Sequence, residues 1–248
     1  MTESTSTCPT PSRISLSLIR DFELRHDGEP VELPPNSQRL ICFLAFQDRP
    51  VRRSYVSGTL WYNSDEYRAS ASLRSALWRL PSLPGLALVG SSHTHIWLAP
   101  SVTIDIRQVM ERGMAVLSAP HGGSGLIDVA RELVSFGDDV LVGWYDDWVI
   151  MERERFRQIR LHALDRIGDR LFDQGRHCDA LEVALAAVRA EPLRESAHRL
   201  LVRVHLQEGN VAEAIRQYRS YADLLRRELH ATPSPVIQRL LTPHLAHA

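Results

Sequence analysis

The stretch GRHCDALEVALAAVRAEPLRESAHRLLVRVHLQEGNVAEAIRQY, residues 175–218, repeats its pattern after 34 residues. Gly175-Arg176-His177 opens the first copy and Gly209-Asn210-Val211 opens the second, and Ala180 corresponds to Ala214. This spacing is the length of one helix–turn–helix unit. Because such a unit cannot bury its apolar face alone, neighbouring units stack and present an outer surface to a partner. Further matching pairs are Leu181 with Ile215 and Phe172 with Leu206.

A period of 34 residues is typical of tetratricopeptide (TPR) repeats, so the C-terminal half is predicted to be an all-α, TPR-like domain over residues 104–248. Apolar residues at helical spacing along this half favour the same prediction. Small residues such as Ala184 and Ala187 would let neighbouring helices approach closely. The predicted helices are Asp105–Leu117, Ile127–Phe136, a stripe from Phe156 to Leu171, Asp179–Ala190, Arg194–Glu208, Ala212–Leu229 and a short last helix after Pro235.

Composition narrows the classes of protein that this chain can be. The chain has 248 residues and a formal net charge of −1, so any contact with nucleic acid must come from a local basic patch. All 29 basic residues are arginines. Without lysine the chain has no P-loop, no kinase-type phosphate-binding lysine and no Schiff-base lysine, and this excludes several classes of enzyme.

The cysteines and the N-terminal residues indicate a cytoplasmic protein. Cys8, Cys42 and Cys178 have no paired spacing, which fits a reducing compartment better than a disulfide framework. No apolar run is long enough to cross a bilayer, so we expect no membrane partner. Residues 1–12 are rich in Ser, Thr and Pro, and are predicted to be a disordered tail rather than a signal peptide.

The N-terminal half is predicted to be a small α+β domain over residues 13–100, in the order sheet, three helices, β-hairpin. Asp27-Gly28 indicates a tight hairpin turn. Pro81 ends the third helix because proline disfavours helical backbone at the residue before it. The predicted elements are the strands Ile14–Leu18, Phe22–His26 and Val31–Leu33, the helices Ser37–Phe46, Arg53–Trp61 and a third from Ser64-Asp65 to about Leu80, and the strands Leu86–Val89 and Thr94–Leu98 around the turn Gly90–His93.

The third predicted helix divides into two faces at 100° per residue. Ala69, Leu73, Ala76, Leu77 and Leu80 fall on one side, whereas the other side is rich in Arg and Ser. Such a helix suits the major groove of DNA, because arginine can donate two hydrogen bonds to guanine or pair with phosphate. Taken alone, the pattern also fits an ordinary solvated amphipathic helix.

The position of this helix favours DNA binding. A short helix before it and a β-hairpin after it are typical of the winged helix–turn–helix, in which the second helix enters the groove and the hairpin reaches the backbone or minor groove. The leading sheet indicates the OmpR-type version of this fold. The predicted DNA-binding residues are Arg53, Arg68, Ser72, Arg74, Ser75, Trp78 and Arg79, and the candidate wing contacts are His93 and Thr94.

Three other groups of residues have patterns that can indicate a functional site. His93 and His95 share one face of a strand, but no third ligand lies near them in the sequence, so we expect no metal. The run HGGSG at 121–125 is predicted to be a linker, because the chain has no G-x-S-x-G nucleophile elbow. The aromatic group Trp144, Tyr145 and Trp148 indicates either core packing or a partner-binding surface.

Several blocks in the same order resemble the SARP family, the Streptomyces antibiotic regulatory proteins, over nearly the whole chain after residue 12. The resemblance implies an OmpR-type winged-helix domain followed by a TPR-like bacterial transcriptional activation domain. It also implies binding to direct repeats near promoters of biosynthetic clusters, and recruitment of RNA polymerase. The blocks are FELRHDGEPVELPPNSQRLICFLAF, SLRSALWRL, GWYDDWVIMERERFRQIRLHAL, EPLRESAHRLLVRVHLQEGNVAEAIRQYRSY and ATPSP.

Two features depart from the family pattern. The wing sequence GSSHTHIW lacks the arginine that family wings usually carry. Pro81 cuts the recognition helix where the family tends to remain basic. Both departures predict fewer phosphate contacts and a greater dependence on dimerisation.

These observations together predict a cytoplasmic, sequence-specific transcriptional activator of antibiotic biosynthesis, without enzymatic activity or a cofactor. The expected partners are double-stranded promoter DNA, the RNA polymerase holoenzyme through its sigma-factor region, and a second copy of the chain on DNA. The alternative is a TPR-like interaction adaptor whose winged helix no longer binds DNA.

Overall fold

The computed structural model describes residues 13–82, 87–118, 125–135 and 139–245. The predicted tail, Leu86, the linker residues 121–124 and Phe136 lie outside these ranges. Along the described chain the elements are β1 (Ile14–Ser17), β2 (Glu23–His26), β3 (Glu29–Pro30), α1 (Pro35–Ala45), β4 (Val51–Arg52), α2 (Arg53–Leu60), α3 (Glu66–Trp78), β5 (Val89–Ser91), β6 (His95–Leu98), β7 (Val102–Ile104), α4 (Asp105–Ser118), α5 (Leu126–Ser135), α6 (Asp147–Asp173), α7 (His177–Ala190), α8 (Glu195–Gln207), α9 (Val211–Leu229) and α10 (Pro235–Leu245).

The contacts divide the chain into two units, an N-terminal α/β unit and a helical one. The first unit runs to Gln108 and also includes Asp139–Arg153, whereas the second contains Val109–Asp138 and everything from Glu154 onward. Residues 139–153 were predicted to lie in the helical domain, but their contacts lie with the first unit. The independent folding of segments 13–100 and 104–248 remains a prediction.

A four-stranded sheet in the order β3-β2-β1-β7 opens the first unit. Asp27 and Gly28 both have positive φ, 50° and 89°, so the predicted Asp27-Gly28 turn is confirmed. The third strand was predicted at Val31–Leu33, but β3 is Glu29–Pro30, because a two-residue turn returns the chain to its partner at once. Strand β7 was not predicted, and it pairs in parallel with β1.

A second sheet, in the order β4-β6-β5, lies with helices α1, α2 and α3 around one apolar core. The predicted hairpin turn Gly90–His93 is displaced. Gly90 lies inside β5, and the turn is closed where the Ser92 amide donates to the His95 carbonyl at 2.8 Å. The buried core residues are Leu40, Phe43, Leu44, Val56, Leu60, Leu73, Ala76 and Ile96.

The segment Asp139–Arg153 belongs to the first unit through main-chain and side-chain contacts. Val140 forms an antiparallel bridge with Ile19, and Asp146 forms an ion pair with Arg39. The Arg153 guanidinium donates to the carbonyls of Val140 and Leu141 at 3.0 and 2.8 Å. These contacts give the first unit a strand-like edge that comes from a distant part of the chain.

The second unit contains the 34-residue repeat as a repeat of structure. Gly175 and Gly209 take left-handed φ angles of 73° and 78°, which favour glycine after a helix end. Helix α7 then begins at His177 and α9 at Val211. The equivalent residues Ala180 and Ala214 are both fully buried, and so are the small residues Ala184 and Ala187.

A buried histidine joins helices α8 and α9 of the second unit. His198 is 4% exposed and stacks on Tyr221 with ring centroids 4.3 Å apart. Its Nε2 lies 2.9 Å from the Pro192 carbonyl and its Nδ1 lies 2.7 Å from the Gln217 amide. Removal from water lowers the pKa of His198, and it raises the pKa of Tyr221 to about 12.

None of the described helices combines the length and the apolar character that crossing a membrane requires.

Candidate nucleic-acid interface

Helix α3 has a defined start and stop. Asp65 is its N-cap, and the Asp65 carboxylate accepts a hydrogen bond from the Arg68 amide at 2.8 Å. Glu66 adds a second negative charge in the first turn, where the helix dipole favours it. The helix ends at Trp78, two residues before the predicted end, because Arg79 leaves the helical conformation ahead of Pro81.

The inward face of α3 packs against α1. Ala69, Leu73 and Ala76 are buried, in agreement with the predicted apolar face. The hydroxyl of the buried Ser37 donates to the Ala76 carbonyl at 2.9 Å. This bond and the apolar contacts fix which side of α3 points outward.

The outward face of α3 carries most of the predicted DNA-binding residues. Arg68, Arg74, Ser75 and Arg79 are exposed, and Trp78 is 85% exposed. Ser72 is half-buried at the edge of this face. The structure therefore brings the predicted residues of α3 onto one accessible surface.

The arginines in and directly after α3 differ in whether the guanidinium group already pairs with a neighbouring side chain. Arg68 lies 3.3 Å from the Asp65 carboxylate. Within the described part of the chain, the guanidinium groups of Arg74 and Arg79 form neither a hydrogen bond nor an ion pair. Residues 49–82 hold six arginines against Asp65 and Glu66, so this region is basic although the whole chain is not.

The hairpin lies against the start of α2. The Arg53 amide donates to the Thr94 carbonyl at 2.9 Å, and its guanidinium Nε donates to the Ser92 carbonyl at 3.2 Å. His93 and Thr94 are exposed at the turn, and the Thr94 hydroxyl lies 2.8 Å from Nδ1 of His95. Arg53 thus connects helix and hairpin, and only part of its hydrogen-bonding capacity remains for another molecule.

Two further side chains of this surface were not among the predicted site residues. Tyr67 is 79% exposed in the first turn of α3, and Ala71 lies one turn further along the same face. The helical spacing of Tyr67, Ala71 and Trp78 in the sequence places these three side chains on one face.

The aromatic group Trp144, Tyr145 and Trp148 does not form one surface. Trp148 packs edge-on against Phe43, with ring centroids 5.4 Å apart, and its indole nitrogen is buried without a hydrogen-bond partner among the described residues. Trp144 is half-buried, whereas Tyr145 is 81% exposed. Exposed apolar neighbours of Tyr145 in the sequence are Val142, Ile150 and Met151.

The described residues contain no group of three or more His, Cys, Asp or Glu side chains placed to hold a metal ion. The Cys42 thiol is buried, and this burial raises its pKa well above the ordinary value. The first unit is thus organised around apolar packing and an exposed arginine-bearing helix.

Comparison with known proteins identifies the helical half. Residues 120–242 match the family of the bacterial transcriptional activator domain. The resemblance to SARP-type transcriptional regulators is therefore confirmed over the helical half.

The chain also shares its fold with a solved structure, "Mycobacterium tuberculosis EmbR in complex with low affinity phosphopeptide". The TM-score is 0.75 at 18% sequence identity, and the match covers 95% of this chain. The chain spans 66% of the length of that EmbR chain. No curated protein matches the chain in sequence.

Proposed function

We propose that this regulator is a sequence-specific DNA-binding transcriptional activator without enzymatic activity. In this proposal α2 and α3 form a winged helix–turn–helix, α3 is the recognition helix, and the β5–β6 hairpin is the wing. The observation that carries the proposal is the pair Arg74 and Arg79. Arg74 is exposed on α3 and Arg79 is exposed directly after its last residue, and neither guanidinium group has a partner among the described residues. Arginine in this position can pair with phosphate or with guanine.

The arrangement around α3 supports a role in groove binding. Its opposite face is buried against the apolar core, so the exposed face is free to enter a groove about 12 Å wide. The hairpin follows α3 in the chain and contacts the start of α2 through Arg53. Because the exposed turn residues Ser92, His93 and Thr94 include no arginine, we assign the wing a minor share of the phosphate contacts.

In this proposal the helical unit recruits the transcription machinery to the bound promoter. The match to a bacterial transcriptional activator domain supports this role. We propose contact with the RNA polymerase holoenzyme in its sigma-factor region, and two copies of the regulator on direct repeats in the cytoplasm. A biosynthetic gene cluster is the proposed target. The phosphopeptide in the EmbR structure is a ligand of that protein, and no phosphopeptide is proposed for this chain.

The test is binding to the regulator's own upstream DNA, measured by fluorescence anisotropy at several salt concentrations. We expect Arg74→Ala and Arg79→Ala to weaken specific binding by about 1–3 kcal/mol each where the arginine contacts a base. Loss of a phosphate contact should instead weaken binding to all sequences and flatten the dependence on salt.

Arg219→Ala is the matched control, because Arg219 is exposed on α9 in the other unit. It should leave DNA affinity unchanged. If Arg74→Ala and Arg79→Ala bind as tightly as the wild type while their circular dichroism is unchanged, α3 is not the recognition helix.

The second candidate is an interaction adaptor that does not bind DNA. The exposed apolar side chains Val142, Tyr145, Ile150 and Met151, together with the non-basic hairpin turn, favour it. A gel shift with the same upstream DNA separates the candidates. An adaptor that does not bind DNA should leave the mobility of this duplex unchanged.

A further inference from the structure

The centre of the exposed face of α3 is apolar, not basic. At 100° per residue, Ala71, which is half-buried, lies opposite the midpoint of the buried residues Ala69, Leu73 and Ala76. Tyr67 and Trp78 fall beside Ala71, one turn before it and two turns after it. Their exposed fractions are 79% and 85%. A line of apolar groups therefore runs along the middle of the proposed recognition face.

The arginines border this line on both sides. Arg74 projects on one side and Arg68 on the other, and Arg79 follows the last residue of the helix. In a duplex, the major groove lies between two phosphate backbones, and the base edges form its floor. A helix with an apolar centre and cationic borders is complementary to that arrangement.

Two large exposed rings on one helix need a physical reason. Within the described residues, neither Tyr67 nor Trp78 stacks on another aromatic ring, and both stay in water. Burying such a side chain against apolar atoms is favourable. The apolar group that base pairs present in the major groove is the C5-methyl group of thymine.

We propose that Ala71 and Trp78 read thymine methyl groups, while Arg74 and Arg79 hold the flanking phosphates or guanines. This inference rests on the proposed DNA-binding function. It assigns to the regulator a target whose half-sites contain thymines at the positions facing the centre of α3. It also makes Trp78 a specificity-determining residue through contact with a methyl group.

The test uses a duplex selected by the full-length chain from a random-sequence library, and a second duplex in which uracil replaces thymine within the half-sites. Uracil keeps every hydrogen-bonding group of thymine and lacks only the methyl. We expect wild-type affinity to fall about fourfold for each methyl that the protein contacts. Trp78→Ala should bind the thymine duplex more weakly, and the difference between the two duplexes should shrink by the share that Trp78 contributes, while the Ala71 contact keeps its own.

Arg74→Ala is the matched control on the same helix. It should weaken binding to the thymine and uracil duplexes by the same factor, because it removes a charge and no apolar contact. Both substituted residues are exposed, so neither truncation removes a core side chain.

The outcomes are distinguishable. Equal wild-type affinity for the two duplexes overturns the methyl assignment and leaves DNA binding intact. A difference that is as large in Trp78→Ala as in the wild type also overturns it. Sedimentation tests one further outcome. If Trp78→Ala converts a dimer to a monomer while the affinity difference between the two duplexes is unchanged, Trp78 contacts a second copy and the assignment is wrong. Failure to select any duplex overturns this inference together with the proposed function.

Discussion

The indole ring of Trp97 lies across Gly90, its cross-strand neighbour in the β5–β6 hairpin. A Cβ atom on Gly90 would meet Nε1 of Trp97 at 2.2 Å, far inside van der Waals contact. We therefore expect Gly90→Ala to force the ring out of place and to lower the free energy of unfolding by about 1–3 kcal/mol. Urea unfolding followed by tryptophan fluorescence measures this change.

Gly58→Ala is the control for that substitution. Gly58 is exposed in α2, and no atom lies within 4 Å of the position that its Cβ would take. Alanine has the higher helix propensity, so this variant should gain up to about 1 kcal/mol. A Gly90→Ala protein as stable as the wild type would mean that Trp97 does not occupy this position in solution.

Trp148 and Tyr145 should respond differently to truncation, although they are close in sequence. Trp148 packs against Phe43 and Phe46, so we expect Trp148→Ala to lower the free energy of unfolding by about 3–5 kcal/mol. Tyr145 is 81% exposed, and Tyr145→Ala should stay within about 0.5 kcal/mol of the wild type. The same urea titration compares them. A large loss in Tyr145→Ala would show that this side chain is covered in solution.

Tandem binding is the third prediction, and it follows from the proposed direct-repeat target. Two copies on one face of the duplex require half-sites about one helical turn apart or a multiple of it. We expect cooperative binding to a two-repeat probe in a gel shift. Inserting about half a turn between the repeats should remove the cooperativity and leave single-site affinity unchanged. Equal cooperativity on both probes would rule out two copies side by side.

The fourth prediction concerns pH and His198. The folded state lowers the pKa of His198, so the unfolded chain takes up the proton first as the pH falls. The stabilisation is therefore complete above about pH 6.5 and is lost as the pH falls below that value. We expect the unfolding free energy of the wild type to decrease between about pH 7 and pH 5, and His198→Gln should show a shallower decrease.

His244→Gln is the control variant. It also removes one histidine, but His244 is exposed on α10. Glu195 is the acidic group that favours the charged form of His198, and Tyr221 is the ring stacked on it. Parallel pH dependence of the wild type and His198→Gln would show that His198 is not removed from water.

Local sequence patterns predicted the helices well, because each helix carries its own periodicity. Helix α7 was expected from Asp179 and begins at His177, and its glycine turn was visible in the sequence. The strands β4 and β7 escaped prediction, since two or three residues are too few to show a period. The displaced β3 reflects turn geometry, which fixes register more strongly than local apolar content.

Long-range contacts were beyond what one sequence can indicate. Arg39 and Asp146 are 107 positions apart, and nothing in their surroundings identifies them as partners. The two faces of α3 followed from periodicity, whereas the contact of Arg53 with Ser92 required coordinates. That contact depends on where a hairpin turn falls, and the turn was predicted two residues too early.

The discontinuous first unit has a consequence for how the chain is made. Domains generally fold from the N-terminal end as the ribosome delivers them, at about 5–20 residues per second. Here residues 109–138 must be translated before Val140 can pair with Ile19 and before Trp148 can cover Phe43. Helix α1 therefore keeps part of its aromatic surface uncovered on the nascent chain. The first unit reaches its final packing only after more than half of the protein has left the ribosome.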